Sequence, residues 1–107
     1  MKLSQYDIIL VNLDPTIGTE INKTRPCVII SPDEMNGNLG NVTIAPMTSK
    51  SRKYPTRIKV IHNNQDGWIV LDQIRTIDKR RILKELGKLR TSEILVCKRV
   101  IKETFVD

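Results

Sequence analysis

The amino-acid sequence predicts a mainly β protein with short helices: a small, partly open barrel covered on one side by a C-terminal α-helix. Short β-branched runs recur at regular spacing, each bounded by Pro, Gly, Asn or Asp. The only aromatics are Tyr6, Tyr54, Trp68 and Phe105, so the core must be built of Ile, Val and Leu, which favours strands. Helical periodicity is confined to the end of the chain. At 107 residues the chain is expected to form one domain, 1–107, with a core that needs no staples.

Residues 6–13 (YDIILVNL) form the first buried strand, ended by Asp14-Pro15. A polar stretch with Gly18, Thr19, Glu20 and Lys23 leads to a second strand at 26–31 (PCVIIS), ended by Pro32. Pro26 has no backbone donor and restricts Arg25 to extended geometry, so Arg25 sits at the mouth of a strand. Taken alone, this stretch also reads as a hairpin loop with solvated polar residues. Residues 33–41 (DEMNGNLGN) read as a turn-rich loop, and 42–46 (VTIAP) as a third strand that delivers Met47-Thr48-Ser49-Lys50 into the next loop. A basic loop, 50–55, is tipped by Tyr54. Residues 56–61 (TRIKVI) alternate, with Ile58 and Val60 on one face and Arg57 and Lys59 on the other. Residues 62–67 (HNNQDG) read as a hairpin turn and 68–77 (WIVLDQIRTI) as the last long strand, followed by a short extended piece at 86–89. From Thr91, read as an N-cap with Glu93 in the first turn, Ile94, Cys97, Ile101 and Phe105 share a helix face, and Lys98, Arg99 and Lys102 lie toward solvent.

The formal net charge of +6 and pI of about 9.6 point to a polyanionic partner. No carboxylate occurs between Glu34 and Asp66, where Lys50, Arg52, Lys53, Arg57 and Lys59 all fall. A second cluster, Arg75, Lys79, Arg80, Arg81, Lys84, Lys88 and Arg90, is relieved only by Asp78 and Glu85. Cys27 and Cys97 lie far apart in apolar runs and read as buried hydrophobes, not as a disulfide or a metal site. The apolar run 8–13 is too short for a membrane span and carries Asn12, so no membrane partner and a cytoplasmic location are expected.

The chain has one histidine, His62, read as an exposed turn residue. A two-histidine acid–base mechanism is therefore impossible. No Cys/His cluster, paired carboxylate motif, Walker A loop or G-x-G-x-x-G is present, so no metal and no cofactor are expected. The remaining kit of Arg, Asp, Glu, Thr and Ser fits one reaction on a polyanion. RNA carries its own nucleophile, the 2′-hydroxyl, and a protein need only align it and stabilise charge on the phosphoryl oxygens. Arg supplies bidentate phosphate contacts, and Thr48 can donate a hydroxyl hydrogen bond. Tyr54 can stack a base of a single strand; Trp68, opening a strand, is better placed for the core.

With these residues the sequence resembles the MazF/PemK family of toxin endoribonucleases. The resemblance rests on LDPTIGTE at 13–20, TRPCVIISP at 24–32, APMTSK at 45–50, YPTRIKV at 54–60 and LDQIRTID at 71–78. It implies a small SH3-like barrel of the PemK/CcdB-like toxin fold, a homodimer, and metal-free, sequence-selective cleavage of single-stranded RNA. It also implies products with a 2′,3′-cyclic phosphate and a free 5′-hydroxyl, and neutralisation by an acidic MazE-like antitoxin. Residue by residue, it assigns Arg25 and Thr48 as the catalytic pair, with Glu20 and Asp72 as supporting or alternative catalytic positions. Thr19, Lys50, Arg52, Lys53, Tyr54, Gln73 and Arg75 are the expected RNA contacts. The family branch with an Asp-centred mechanism places a histidine where Thr19 stands and an arginine where Val70 stands, so the Arg25/Thr48 reading gains here.

Arginine is a poor general base, so Arg25 is expected to stabilise transition-state charge, and a proton-donating role for it stays open. A carboxylate that ordinarily titrates near ~3.9 is a weak base at neutrality, so Asp72 and Glu20 fit better as groups that orient an arginine or contact a base. Two alternatives from other classes stand beside the ribonuclease: a non-catalytic poison of DNA gyrase, and a passive RNA-binding barrel. Neither needs Arg25 and Thr48 on opposing loops.

Overall fold

The computed structural model describes residues 2–106, and its strands follow the apolar runs. β1 (Asp7–Asn12) and β2 (Thr24–Ile29) form an antiparallel hairpin, and β3 (Asn41–Thr48) pairs with β2. β4 (Arg57–His62) and β5 (Gln65–Val70) form a second hairpin, with β5 laid along the C-terminal end of β3. β6 (Arg75–Asp78) takes the N-terminal half of β3, and β7 (Ile82–Lys88) pairs with β1. All pairings are antiparallel, in the order β4–β5–β3–β2–β1–β7 with β6 beside β3. This curled sheet, with the C-terminal helix α2 (Thr91–Ile101), is the partly open barrel that the sequence predicts.

Both faces of the sheet are covered, which is why β1 to β3 read as nearly continuous apolar runs. Ile8, Val28, Ala45 and Met47 pack with Ile58, Val60, Ile69, Leu71 and the α2 residues Cys97 and Val100. On the other face, Ile9, Val11, Leu13, Cys27, Ile29, Val42, Ile44 and Ile77 form a second cluster. Each such aliphatic side chain contributes about 1.5–3 kcal/mol when fully buried. Cys27 and Cys97 sit one in each cluster, both free, and burial pushes each thiol up to about 12, so they are the inert hydrophobes expected.

The structure corrects several expected elements. The loop expected at 33–41 contains a short helix, α1 (Asp33–Asn38). Asp33 and Glu34 complement its N-terminus, and its asparagines bond locally: the buried Asn36 amide donates to the Ser31 carbonyl at 2.9 Å, and the Asn38 amide to the Glu34 carbonyl at 2.6 Å. The long strand expected at 68–77 is two strands broken by a 3₁₀ turn at Leu71–Gln73, where the chain moves from one end of β3 to the other. The hairpin turn expected at 62–67 is only Asn63-Asn64, both at positive φ (52° and 61°), as a two-residue turn between twisted strands requires. His62 therefore belongs to β4. The short piece at 86–89 is the end of seven-residue β7, whose register on β1 slips twice and so hides its alternation; Gly87, at φ 139°, lies beside one slip. Thr48 is the last residue of β3 rather than part of a loop, and β2 starts at Thr24.

At α2 the N-cap is Arg90, not Thr91. Glu93 Oε1 accepts from the Arg90 backbone N–H at 2.9 Å, while Oε2 accepts from the Ile61 N–H at 3.2 Å on the edge strand β4. One carboxylate thus caps the helix and occupies a donor of the sheet edge. Ile94, Cys97 and Ile101 face the core as expected, but Phe105 lies in a π-helical turn, Lys102–Val106, and is exposed. Among the described residues no helix is long and apolar enough to cross a membrane.

Ile69 is fully buried between β4, β3 and α2, so Ile69→Ala should lower stability by about 2–5 kcal/mol, read from the shift in urea midpoint at unchanged m-value.

Candidate functional site

The β2–β3 ladder sets Ile29 against Ile44 and Cys27 against Pro46. Carried two residues further, the same register sets Arg25 against Thr48, on the same face. The ladder ends before that pair, because neither Pro26 nor Pro46 can donate a backbone hydrogen bond. The strands part there, and an open cavity of about 210 Å³ lies between them. Arg25, Pro26, Met47, Thr48 and Ser49 line it from the strand ends, and His62, Gln65 and Asp66 line it from the β4–β5 tip.

Within this cavity Arg25 is oriented by a hydrogen bond from Nε to the Asn22 carbonyl at 3.1 Å. Among the described residues its terminal amino groups make no hydrogen bond and no carboxylate pairs with it, so its charge is uncompensated. Thr48 Oγ1 donates to the Lys50 carbonyl at 3.1 Å and accepts from the Lys50 N–H at 3.3 Å, a turn that starts the β3–β4 loop. Rotation of the hydroxyl can exchange the neutral carbonyl for an anionic oxygen, a stronger acceptor.

The other expected site residues lie elsewhere. Asp72, in the 3₁₀ turn, accepts from Arg57 Nε and Nη2, both at 3.2 Å, and from the Thr56 hydroxyl at 2.9 Å. Burial alone would raise its pKa, but the hydrogen bonds from Arg57 and Thr56 and the Arg57 charge outweigh that and hold the carboxyl below the ordinary range. Arg57 also donates to Ser51 Oγ at 3.0 Å, so the pair ties down the β3–β4 loop. Gln73 accepts from the Ile21 N–H at 2.7 Å and its amide donates to the Thr19 carbonyl at 3.4 Å; Arg75 Nη1 donates to the Leu13 carbonyl at 3.1 Å. These two hold the β1–β2 loop. Glu20 is exposed in that loop, and its Oε1 accepts from the Ile17 N–H at 2.6 Å.

Lys50, Arg52 and Lys53 are exposed on the β3–β4 loop, with no ion-pair partner among the described residues. Tyr54 lies over Arg57, ring centroid 5.3 Å from Cζ. Tyr54, Lys53, Arg57, Trp68 and Arg99 line a broader groove of about 600 Å³ between the β4–β5 hairpin and α2, so Trp68 is half-buried in a groove wall rather than in the core. The sequence reading missed His62, Gln65 and Asp66. The alternation of β4 held the signal for the histidine: His62 follows Ile58 and Val60 on one face. No three of His, Cys, Asp and Glu cluster as metal ligands among the described residues.

Fold and site together define a small β-barrel with an arginine and a hydroxyl on opposite sides of an open strand-end cavity, flanked by basic and aromatic side chains. The family model of PemK-like, MazF-like toxins of type II toxin–antitoxin systems matches residues 4–105, and the chain belongs to that family. It is similar to the endoribonuclease toxin MazF of Escherichia coli (strain K12), 35% identical over 71 residues, which are 66% of this chain and 64% of that protein. It is also similar to the endoribonuclease MazF of Staphylococcus epidermidis, 34% identical over 95 residues, 83% of this chain and 79% of that one. The match thus spans just under two thirds of the E. coli protein's length. The fold superimposes on MazF from Deinococcus radiodurans with a TM-score of 0.88 at 21% identity, covering 100% of this chain and 99% of that one.

Asp72's depressed pKa gives a pH test with a defined sign. The stabilisation is fully present above the unfolded carboxyl's value of about 3.9 and is lost as pH falls through the lower folded value. Asp72→Asn should therefore cost about 1 kcal/mol near neutrality, since both partners are partly exposed. Denaturant melts at stepped pH should show the gap from wild type unchanged down to about pH 5 and closing below about pH 4.

Proposed function

We propose that this chain is the toxin of a type II toxin–antitoxin pair, and that it is an endoribonuclease cutting single-stranded RNA without a metal ion. The observation that carries the reading is the placement of Arg25 and Thr48 across one open cavity in a chain of the PemK/MazF family. The RNA's 2′-oxygen attacks the adjacent phosphorus, the bond from phosphorus to the 5′-oxygen breaks, and the products end in a 2′,3′-cyclic phosphate and a 5′-hydroxyl. Arg25, whose terminal amino groups have no partner among the described residues, holds the charge that gathers on the phosphoryl oxygens, and the Thr48 hydroxyl donates to one of them. Lys50, Arg52 and Lys53 draw the strand in electrostatically, and the Tyr54–Trp68 groove offers a face on which bases of a single strand stack; sequence-selective cutting would need base-edge contacts beside it.

The proposed partners follow from the same surface. The exposed apolar side chains Ile61 on β4 and Leu95 on α2, with Phe105 and Val106 beyond it, support a homodimer. An acidic antitoxin segment that folds on binding would cover the basic groove and exclude RNA. Its type is supported by the family and by the Deinococcus radiodurans MazE–MazF complex, which shares this fold. The site of action would be the cytoplasm, where mRNA is.

Incubating the protein with a long single-stranded RNA in excess chelator, followed by end mapping, tests the reading. Internal cuts with cyclic phosphate and 5′-hydroxyl ends are expected, with cleavage reduced about 10²–10³-fold in Arg25→Ala. Intact RNA beside folded protein would sink the ribonuclease reading and leave the gyrase poison or the passive RNA binder. Undiminished cleavage by Arg25→Ala would keep the activity and remove Arg25 from its mechanism.

A further inference from the structure

The proposed reaction must move the proton of the 2′-hydroxyl, and most of the cavity wall is made of donors. Arg25 stays protonated, and the hydroxyls of Thr48 and Ser49 are poor bases. Two lining side chains can take a proton, Asp66 and His62. Asp66 is engaged, its Oδ2 3.4 Å from Lys59 Nζ, on the other face of the β4–β5 ladder from His62. Outside the cavity wall, Asp72 is saturated by three donors and Glu20 accepts a backbone N–H within its own loop.

His62 has none of these commitments. It is the chain's single histidine, and imidazole is the side chain that ordinarily changes charge between about pH 5 and 8. It ends β4 on the face that Ile58 and Val60 present to the core, half-buried, directly before the tight Asn63-Asn64 turn that fixes where it stands. Among the described residues the ring's one hydrogen bond is a long contact between Nε2 and the Asn63 amide at 3.4 Å. The charged residues that line the same cavity are Arg25 from β2 and Asp66 from β5; Asp66 pairs with Lys59 on the other face of the β4–β5 ladder from His62.

We propose that His62 is a further catalytic residue, the general base that accepts the 2′-hydroxyl proton in the cavity it shares with Arg25 and Thr48. The inference rests on the ribonuclease reading above. As the proton passes to the imidazole, the 2′-oxygen forms its bond to phosphorus and the bond from phosphorus to the 5′-oxygen breaks. The electron pair leaves with that oxygen, which takes a proton from water at the open mouth of the cavity. The imidazolium then returns its proton to solvent.

The test compares wild type, His62→Asn and His62→Gln on a long single-stranded RNA from about pH 5 to 8, with thermal melts and binding of the same sequence as an uncleavable 2′-deoxy strand. Wild-type cleavage should rise with pH and level off within this range. In both variants the rate should fall about 10²-fold or more and the acid limb should vanish. Affinity for the 2′-deoxy strand should stay within about twofold and the melting temperature should hold. Variants that cleave as fast as wild type, or keep its acid limb, overturn the assignment. A loss of rate matched by equal losses of affinity or melting temperature overturns it too, by making His62 structural. A wild type that cleaves at no pH removes the ribonuclease reading and this inference with it, whereas wild-type cleavage with unaffected variants removes this inference alone.

Discussion

The site depends on the turn at Leu71–Gln73 and the residues just after it. β5 ends against the C-terminal end of β3 and β6 runs on in the same antiparallel sense along its N-terminal half, so residues 70–74 must be taken up opposite Ala45 and Pro46 alone. Leu71 anchors this turn: its side chain is fully buried and its N–H donates to the Thr56 carbonyl at 3.1 Å. The polar side chains that follow reach both ways. Asp72 holds Thr56 and Arg57, and through Arg57 the hydroxyl of Ser51; Gln73 and Arg75 hold the backbone at Thr19, Ile21 and Leu13. The loops that leave β1 and β3, one leading to Arg25 and one leading from Thr48, are thereby tied to one short segment. Ordering a loop costs roughly 1–2 kcal/mol per residue in backbone entropy, while each hydrogen bond returns about 0.5–1.5 kcal/mol net. A few bonds cannot order a loop alone; they select one geometry among those the strand ends already confine. Gln73 and Arg75 therefore contribute to the site by fixing its walls through bonds to backbone.

A second constraint closes the neck of the β1–β2 loop. The Leu13 N–H donates to the Lys23 carbonyl at 2.9 Å, the Lys23 N–H donates to Asp14 Oδ1 at 3.0 Å, and Arg81 binds the carbonyls of Asn12 and Asp14. Lys23 takes a left-handed conformation, φ 69°, to satisfy these bonds. For a residue with a Cβ this costs on the order of 1–2 kcal/mol and persists where the surroundings over-determine it. β2 begins at the next residue, so Arg25 enters the cavity from a backbone position with little freedom. That is the pre-organisation that charge stabilisation in a transition state requires.

How much of this was legible before the structure depends on whether the signal is local. The strands were readable because Ile, Val and Leu must be buried wherever they go, and Pro26 marked Arg25 as a strand-mouth residue because proline acts on its immediate neighbour. The two cysteines were readable for the same reason. What escaped needed register or long-range partners. The break in 68–77 follows from β3 being long enough to pair with two strands along one edge, although Asp72 and Gln73 did interrupt the apolar run. The helix at Asp33–Asn38 was hidden because Asn and Gly read as turn formers, while here Asn36 is buried and bonded to Ser31. β7 was hidden by its register slips. His62 was assigned to a turn on the company of two asparagines, although the alternation of β4 reached it; that it lines the cavity depends further on where the tip of one hairpin falls against the ends of two other strands, which alternation alone does not encode.

The pairing of charges around the cavity shows how one arginine comes to differ from its neighbours. Arg57 is committed to Asp72, Lys59 to Asp66, and Arg75 and Arg81 to backbone carbonyls, whereas the terminal amino groups of Arg25 have no partner among the described residues. The two ion pairs offset cations beside the cavity, and the bonds of Arg75 and Arg81 hold those side chains on backbone, which leaves Arg25 as the guanidinium at the point where the strands part. A guanidinium there holds negative charge at any physiological pH, and for that reason it is ill-suited to take up a proton and release it. Charge stabilisation and proton transfer must then fall to different side chains. In the proposed reaction that division of labour would rest on the β4–β5 hairpin, whose tip sets an imidazole on the cavity wall, which would make the length of that hairpin, as much as the identity of Arg25, a determinant of the chemistry.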